Sequence, residues 1–444
     1  MPSMKDSGIA WINTIPSNWE TKKIKFILQS RNENNNPIRS RDILSLTAKQ
    51  GVVPLSEKEG GGNKPKEDLS AYKLAYPNDI VMISMNILSG SVGLSKYFGC
   101  VSPVYYMLRP IDPNDDVRYF NYIFQTTTFQ KSLLGLGNGI LMKESDNGKL
   151  NTIRMRIPLD KLGNLHIPYP TGNEQKEIAD YLDSICPDID ILANDIQSQI
   201  DVLEEYKKLT ITEVLLNGLN PNANMIDSGI EWIGSVADYA EIFRLKFFSY
   251  LKGRIGWQGL KSTDFIDEGP YCVTGTDFQD GKVNWNTCYH VSEKRYEMDS
   301  NIHIKEGDLL MTKDGTIGKL AIIDELPDKA CLNSHLLIIR PLENKYINKY
   351  LYYVMQSHIF SKYYTLVSSG STMDSLSQEK TGNFSIPSYS IEKQKKIVEY
   401  LVNKCFEINA IISEKKQQFE TLVNYKKSLI YEYVTGKKQV KENA

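Results

Sequence analysis

An amino-methyltransferase holds its target amine in an Asp/Asn-Pro-Pro-aromatic loop, and no Pro-Pro dipeptide occurs in these 444 residues. Gly135, Gly137 and Gly139 spell GxGxG, but without the preceding strand and the following helix and acidic residue that a dinucleotide site needs, so a loop is expected. GTIGK, from Gly315, has glycines too closely spaced for a phosphate loop and Leu320 where Ser or Thr belongs; a tight turn between strands is expected. Pro187-Asp188 with Glu205-Tyr206-Lys207 has the carboxylate-lysine spacing of a metal-dependent nuclease. That chemistry needs the groups to converge from neighbouring strands onto one magnesium, whereas here they lie along one predicted helix. The five histidines (166, 290, 303, 335 and 358) form no HxxxH or HExxH set, and the six cysteines form no CxxC pair. The sequence therefore predicts neither a catalytic residue nor a metal ligand.

The elements that hold these residues are written twice. MKDSGIAWI, from Met4, returns as MIDSGIEWI, from Met225, with seven of nine residues identical. Lys25-Phe26 returns as Lys246-Phe247. IPYPTGNEQKEIADYLDSIC, from Ile167, aligns with IPSYSIEKQKKIVEYLVNKC, from Ile386, sharing Gln175/Gln394, Tyr181/Tyr400, Leu182/Leu401 and Cys186/Cys405. Each half thus reads as an opening motif, a domain of about 150 residues and a long amphipathic helix, the internal pseudo-symmetry of a chain that faces a two-fold object. The middles diverge. From Leu44 to Pro110 and from Phe265 to Pro341, short apolar runs such as DIVMIS, VYYML, DLLMT and HLLII are broken by Gly, Asn, Asp and Pro, and both spans end in Arg-Pro. These are α+β domains with a shared frame and diverged loops, the usual carriers of recognition.

In the helices, alternate steps of four and three from Ile178 meet an apolar residue at eight of nine positions, and the series from Ile397 does so at six of nine. A heptad seam of that length predicts a coiled-coil strand, interrupted or kinked at Pro187. Ile178, Leu182, Ile189, Ile196 and Leu203 are expected to pair with Ile397, Leu401, Ile408 and Leu422. Residues 174–208 hold ten acidic and three basic side chains, while 393–427 hold four acidic and eight basic, so charge favours pairing of the two helices with each other. A helix from Glu174 to Gly218 would be about 65 Å long, the span of two DNA turns at about 34 Å each.

With 41% hydrophobic and 24% charged residues and no apolar run near the roughly 20 that a membrane span needs, the composition is that of a soluble protein too long for one core. An N-terminus without a signal-peptide core and scattered cysteines predict a cytoplasmic, reduced protein. The formal charge of −2 does not decide for or against nucleic acid, because a basic surface can hide in a neutral total.

Over nearly its whole length the chain resembles the specificity (S) subunit of type I restriction-modification systems. DSGIxWI before each domain, the IP…Q-K-x-I-x-x-Y-L entry to each helix and the duplicated order of parts carry the resemblance, with GRIGWQGL, from Gly253, and GDLLMTKDGTIGKLAII, from Gly307, in support. It implies two pseudo-symmetric target-recognition domains separated by two long antiparallel helices forming a coiled coil: domain one over 1–170, the central helix over 171–220, domain two over 221–388 with its opening motif at 225–233, and the C-terminal helix and tail over 389–444. It further implies that each domain reads one half of a split, asymmetric double-stranded DNA target. The helices would set the gap and bind two methyltransferase (M) subunits that carry S-adenosylmethionine, and motor-nuclease (R) subunits using ATP and magnesium would join. The chain itself would be non-catalytic and hold no cofactor. SVADYAEIF after the second opening motif departs from TIPSNWETK after the first, which bears on local packing there.

Residues 21–73 carry eleven Lys/Arg against six Asp/Glu, a balance suited to phosphate contact. Lys49, Gln50, Lys64, Lys66, Arg154 and Arg156 are the candidate DNA contacts of the first half, and Arg254, Gln258, Lys261 and Lys313 those of the second, since Arg suits guanine and Gln adenine in the major groove. Trp257 is expected either to stack or to pack the core, with packing favoured. Two other classes compete: a self-sufficient restriction or methylation enzyme, which the missing motifs disfavour, and a duplicated protein-interaction scaffold, which salt-dependent, sequence-selective DNA binding would exclude.

Overall fold

In the computed structural model, the described residues are 3–47, 50–58, 65–85, 90–140, 154–254, 260, 264–368 and 375–440. The opening motif is a turn. Asp6 accepts from the Gly8 N–H at 2.9 Å and Asp227 from the Gly229 N–H at 3.0 Å, and both glycines have φ +67°, a conformation that costs other L-residues about 1–2 kcal/mol. The turn joins two short antiparallel strands, Met4–Asp6 with Thr14–Pro16 and Met225–Asp227 with Ser235–Ala237, and points its isoleucines inward: Ile12 is fully buried and Ile233 nearly so.

The chain divides into two compact units, residues 1–196 with 417–444 and residues 197–416, so each unit holds one domain and one end of each long helix. In the first, Glu20–Lys23 pairs with His166–Tyr169, the strand leading into the helix; in the second, Glu241–Arg244 pairs with Ser385–Ser388. Each domain is thereby closed at the point where its helix departs. Between these strands both units build the same four-stranded antiparallel sheet. Its order is Leu28–Arg31, Tyr105–Pro110, Ile80–Ile83, Val92–Leu94 in one unit and Ser249–Gly253, Leu336–Pro341, Leu309–Thr312, Leu320–Ile322 in the other. A buried carboxylate stands at the same place in each. Asp79 accepts from Arg31 Nε at 2.9 Å, and Asp308 from Arg340 Nε and Nη2 at 2.6 and 2.7 Å. Burial raises the Asp79 carboxyl above its ordinary value, which the Tyr76 N–H and the Arg31 guanidinium only partly offset.

The divergence lies beyond this frame. The first unit adds the hairpin of Leu44–Thr47 with Gly51–Pro54 and the pair Lys73–Ala75 with Gly99–Val101. The second adds a three-stranded sheet in which Phe265–Val273 pairs antiparallel with Tyr289–Val291 and parallel with Ala330–Leu332, packed over its own buried cluster. GTIGK is a turn between Leu309–Thr312 and Leu320–Ile322, with Gly315 and Gly318 at φ +71° and +83°.

The two long helices, Gly172–Asn217 and Ile391–Val434, pack together antiparallel, the first running unbroken through Pro187. Thr171 and Glu174 form a capping box: the Thr171 N–H donates to Glu174 Oε2 at 3.0 Å while Thr171 Oγ1 accepts from the Glu174 N–H at 3.4 Å. The seam corrects the heptad expectation. Ile178, Ile189, Ile200 and Ile211 are all buried, an eleven-residue spacing, and Ile397, Ile408 and Ile430 repeat it, with Phe419 half-buried between them. Eleven residues in three turns is 3.67 per turn, close to the 3.6 of a straight helix, whereas a heptad needs 3.5; over two heptads the seam therefore drifts off the predicted positions. Leu192 and Tyr206, seam positions in the heptad count, are 53% and 49% exposed.

Candidate nucleic-acid interface

Each domain is anchored to its helix by a buried glutamine that the duplication had marked. Gln175 Oε1 accepts from the Asp116 N–H at 3.0 Å, and its Nε2 donates to Asp115 Oδ1 and the Pro170 carbonyl. Gln394 Oε1 accepts from the Ile347 N–H at 3.0 Å, and its Nε2 donates to the carbonyls of Lys345 and Tyr389 and to Ser388 Oγ. Neither glutamine is exposed at all, so each amide is held by protein groups alone.

The opening motif receives a helix end. In the first unit Ile9, Ile12, Ile15 and Trp19 share a core with Leu429, Ile430, Tyr433 and Val434; in the second Ile233 and Val236 share one with Ile211, Val214 and Leu215. Both helices stop at a left-handed glycine, Gly218 and Gly436, pressed against the segment after an opening motif: an added Cβ would stand 2.7 Å from the Tyr239 hydroxyl and 2.4 Å from Pro16. The departure at SVADYAEIF is a matched exchange. Trp19 Nε1 donates to Glu174 at 3.1 Å in the first unit, while in the second the residues aligned with Asn18 and Glu174 are Tyr239 and Lys393, and the ammonium lies 4.0 Å from the ring centroid.

Lys49, Lys64, Gln258 and Lys261 lie outside the described residues, as does Trp257. Gln50 is half-buried, its N–H donating to Thr47 Oγ1 at 2.9 Å and its Nε2 to the Glu57 carbonyl at 3.3 Å. Lys66 is exposed, its N–H donating to the Tyr72 hydroxyl. Arg154 and Arg156 sit on the strand paired with Asn138–Ile140; the Arg156 side chain is exposed, and for Arg154 the backbone alone is described. Burial, then the Arg156 charge, lowers the Lys73 ammonium below its ordinary value. Lys73 donates to the Tyr105 carbonyl at 3.2 Å and, like Arg156, has no carboxylate partner among the described residues. Two cations thus come near each other with no carboxylate paired to either among the described residues. Lys73 closes the basic stretch at residue 73, but only the fold brings Arg156, on a separate sheet, near it.

In the second unit the structure places Arg254 inside. The residue is 3% exposed, Nε donates to the Leu332 carbonyl at 2.9 Å, and Nη2 lies 3.4 Å from Cys331 Sγ. Its guanidinium joins two strands and does not face solvent. Lys313 is half-buried, 3.7 Å from Asp314, which also lies 3.5 Å from the exposed His335.

The pairing residues divide by burial: Ile178, Leu182, Ile189, Ile397, Leu401 and Ile408 are buried, and Ile196, Leu203 and Leu422 half-buried. Lys426 Nζ meets Asp190 at 2.6 Å, and the pair aligned with it, Lys207 and Asn409, meets at 3.0 Å. Outside the seam, aligned apolar residues stay in solvent on both helices: Leu192 and Ile411 are 53% and 46% exposed, Tyr206 and Tyr425 49% and 52%. Among the described residues no group of three or more His, Cys, Asp or Glu could hold a metal ion, and no helix is long and apolar enough to cross a membrane.

A duplicated frame with diverged additions and a shared helical seam is the architecture of a two-domain recognition subunit. Residues 16–201 and 256–421 match the family model of the type I restriction modification DNA specificity domain, and the chain belongs to that family. It is 24% identical to the putative type I restriction enzyme MjaX specificity subunit of Methanocaldococcus jannaschii over 97% of this chain and 96% of the relative. The MjaVIII specificity subunit of the same organism is 25% identical over 282 residues; that match spans 63% of each chain. A chain solved in a study of complex assembly and conformational transition of the type I R-M system shares the fold, with a TM-score of 0.65 at 13% identity over 95% of this chain and 99% of that one.

Proposed function

We propose that the chain is the DNA-reading subunit of its system, each domain recognising one half of a bipartite, asymmetric target. The carrying observation is the distribution of sameness. The four-stranded sheet, the buried glutamine and the helix-receiving opening motif repeat in both units, while the strands added to the frame differ. A common scaffold with different additions is what reading two unlike half-sites requires. In the first domain Lys66, Lys73, Arg154 and Arg156, with Lys49, Gln50 and Lys64, form the DNA contact; in the second Lys313 and His335 join Gln258 and Lys261, and Arg254 holds to the strand Ala330–Leu332 from within. The helices set the gap. Leu192, Tyr206, Ile411 and Tyr425, apolar, exposed and aligned in pairs, suit two copies of one helical partner, the methyltransferase subunits, which bring S-adenosylmethionine; motor-nuclease subunits bring ATP and magnesium.

The test is modified-base sequencing of DNA from cells that carry the chain with its methyltransferase, against cells lacking this chain alone. A split adenine-methylated motif that vanishes on deletion is the expected result. Methylation that persists unchanged would assign specificity to another component. Exchange of residues 239–388 for another member's domain is expected to change one half of the motif and leave the other intact.

A further inference from the structure

Two exposed phenylalanines stand at the same place in the two units. Phe26 is 67% exposed and Phe247 64%, each at the end of a single 3-10 turn, Ile24–Phe26 and Leu245–Phe247. The preceding lysine leans over each ring, with Lys25 Nζ 5.3 Å and Lys246 Nζ 5.4 Å from the ring centroid. A second short helix presses on each turn at a glycine: a Cβ at Gly163 or Gly382 would stand 3.2 Å from the Cβ of Lys25 or Lys246. The next residue, Asn164 or Asn383, lies in the same hollow, and Lys246 Nζ donates to Asn383 Oδ1 at 2.8 Å. Cavities of 460 and 450 Å³ open beside the two groups.

Folding does not account for this repetition. Leaving a phenylalanine in water forgoes the free energy of burying it, and a single exposed ring is ordinary on any surface. Here the pair Lys-Phe persists while its neighbours change, Thr21-Lys22-Lys23-Ile24 before it becoming Ile242-Phe243-Arg244-Leu245 and Ile27-Leu28 after it becoming Phe248-Ser249. Neither lysine has a carboxylate partner among the described residues. Base reading is not the shared cause, because unlike half-sites call for unlike readers. The DNA backbone is common to both halves and would satisfy a lysine, but phosphate gives a phenyl ring no apolar surface to bury against. An aromatic ring flanked by a cation fits a protein surface with an apolar pocket and a carboxylate at its rim.

We infer that the two Lys-Phe turns are equivalent docking points for two copies of one protein partner, each inserting its Phe26 or Phe247 ring into an apolar pocket and its lysine against an acidic rim. Resting on the function proposed above, that partner is the methyltransferase subunit, and the turns extend its contact from the helices onto the domains.

The full chain, co-expressed with the methyltransferase of its own system, would be measured by native mass spectrometry and by titration of one subunit into the other. F26A, F247A, the double variant and the charge reversals K25E and K246E are compared with the parent. All four positions face solvent, so melting curves of the free chain are expected to coincide. The parent is expected to bind two copies, each single variant to lose at least tenfold in affinity for one of them, and the double variant for both. If the parent binds two copies and every variant binds them with unchanged affinity, the docking inference is overturned and the proposed function stands. If the parent binds none, both fall. Variants that keep the methyltransferase and lose salt-dependent affinity for non-specific duplex would place the turns on DNA and overturn the inference as well.

Discussion

At the scale of single residues, the two buried glutamines carry the joint between domain and helix. Gln394→Leu removes the acceptor of the Ile347 N–H and the donor to two carbonyls in a place closed to water. The expected loss is about 2–3 kcal/mol, read from the urea midpoint of the full chain, against almost none for an exposed residue of the same helix such as Glu399. Glu174 supplies a pH dependence with a definite sign. Burial opposes its ionisation, but the Thr171 N–H and hydroxyl, the Trp19 indole and the Asn18 amide outweigh burial and hold the carboxyl below its ordinary value. A folded-state pKa below the unfolded one adds stability that is fully present above about pH 4.3 and is lost as pH falls through the folded value. Glu174→Gln is therefore expected to be less stable than the parent at pH 7, with the difference closing on acidification below about pH 4.3. Denaturation midpoints from pH 7 down to pH 3 check this, and a difference independent of pH would contradict it. The unlike partner at the aligned position, Lys393 over Tyr239, shows how a joint can keep its place while its chemistry changes.

At the scale of elements, the helices test how far periodicity can be trusted. Opposite charge and apolar spacing made the pairing of the helices legible, and eleven-residue repetition of isoleucine was there to be read. A count in steps of four and three hides it, because seven- and eleven-residue repeats agree over the first three turns and part company at residue 192. The two seams make opposite predictions for neighbouring turns. Ile189→Ala removes a side chain that is 5% exposed and is expected to cost about 2–4 kcal/mol, while Leu192→Ala, 53% exposed, is expected to stay within about 0.5 kcal/mol in the free chain. Equal costs would restore the heptad. The frame of the domains was legible for a related reason: the residues that repeat are those that close each unit on itself. The candidate DNA contacts were less so. Arg254 has the composition of a base reader, but its guanidinium is held by a strand carbonyl 78 residues away, a long-range pairing that no local pattern announces. Lys73 and Arg156 become neighbours through the fold as well, one on the strand paired with Gly99–Val101 and the other on the strand paired with Asn138–Ile140, two separate sheets.

At the scale of the whole molecule, the question is what the paired helices do for recognition, and lengthening them answers it. A single inserted turn after Leu203 would slip one helix against the other and break the contacts of Lys416 with Glu204 and of Lys207 with Asn409. A second turn inserted after Lys416, which faces that point, keeps both sets of contacts on either side of the insertion. Four residues add about 6 Å of helix, close to two base pairs of duplex at about 3.4 Å each. If the helices set the gap, the paired insertion is expected to lengthen the unspecified spacer of the methylated motif by about two base pairs while every letter of both half-sites is retained. In the proposed function the two half-sites are read within separate units, whose frames the insertion does not touch, so a change in either set of letters would mean that the domains do not read independently. An unchanged spacer with retained methylation would mean that something other than the helices, the methyltransferase pair itself, holds the two domains at their distance. Modified-base sequencing reads letters and spacer in one measurement, and the two outcomes assign the ruler to this chain or to its partners.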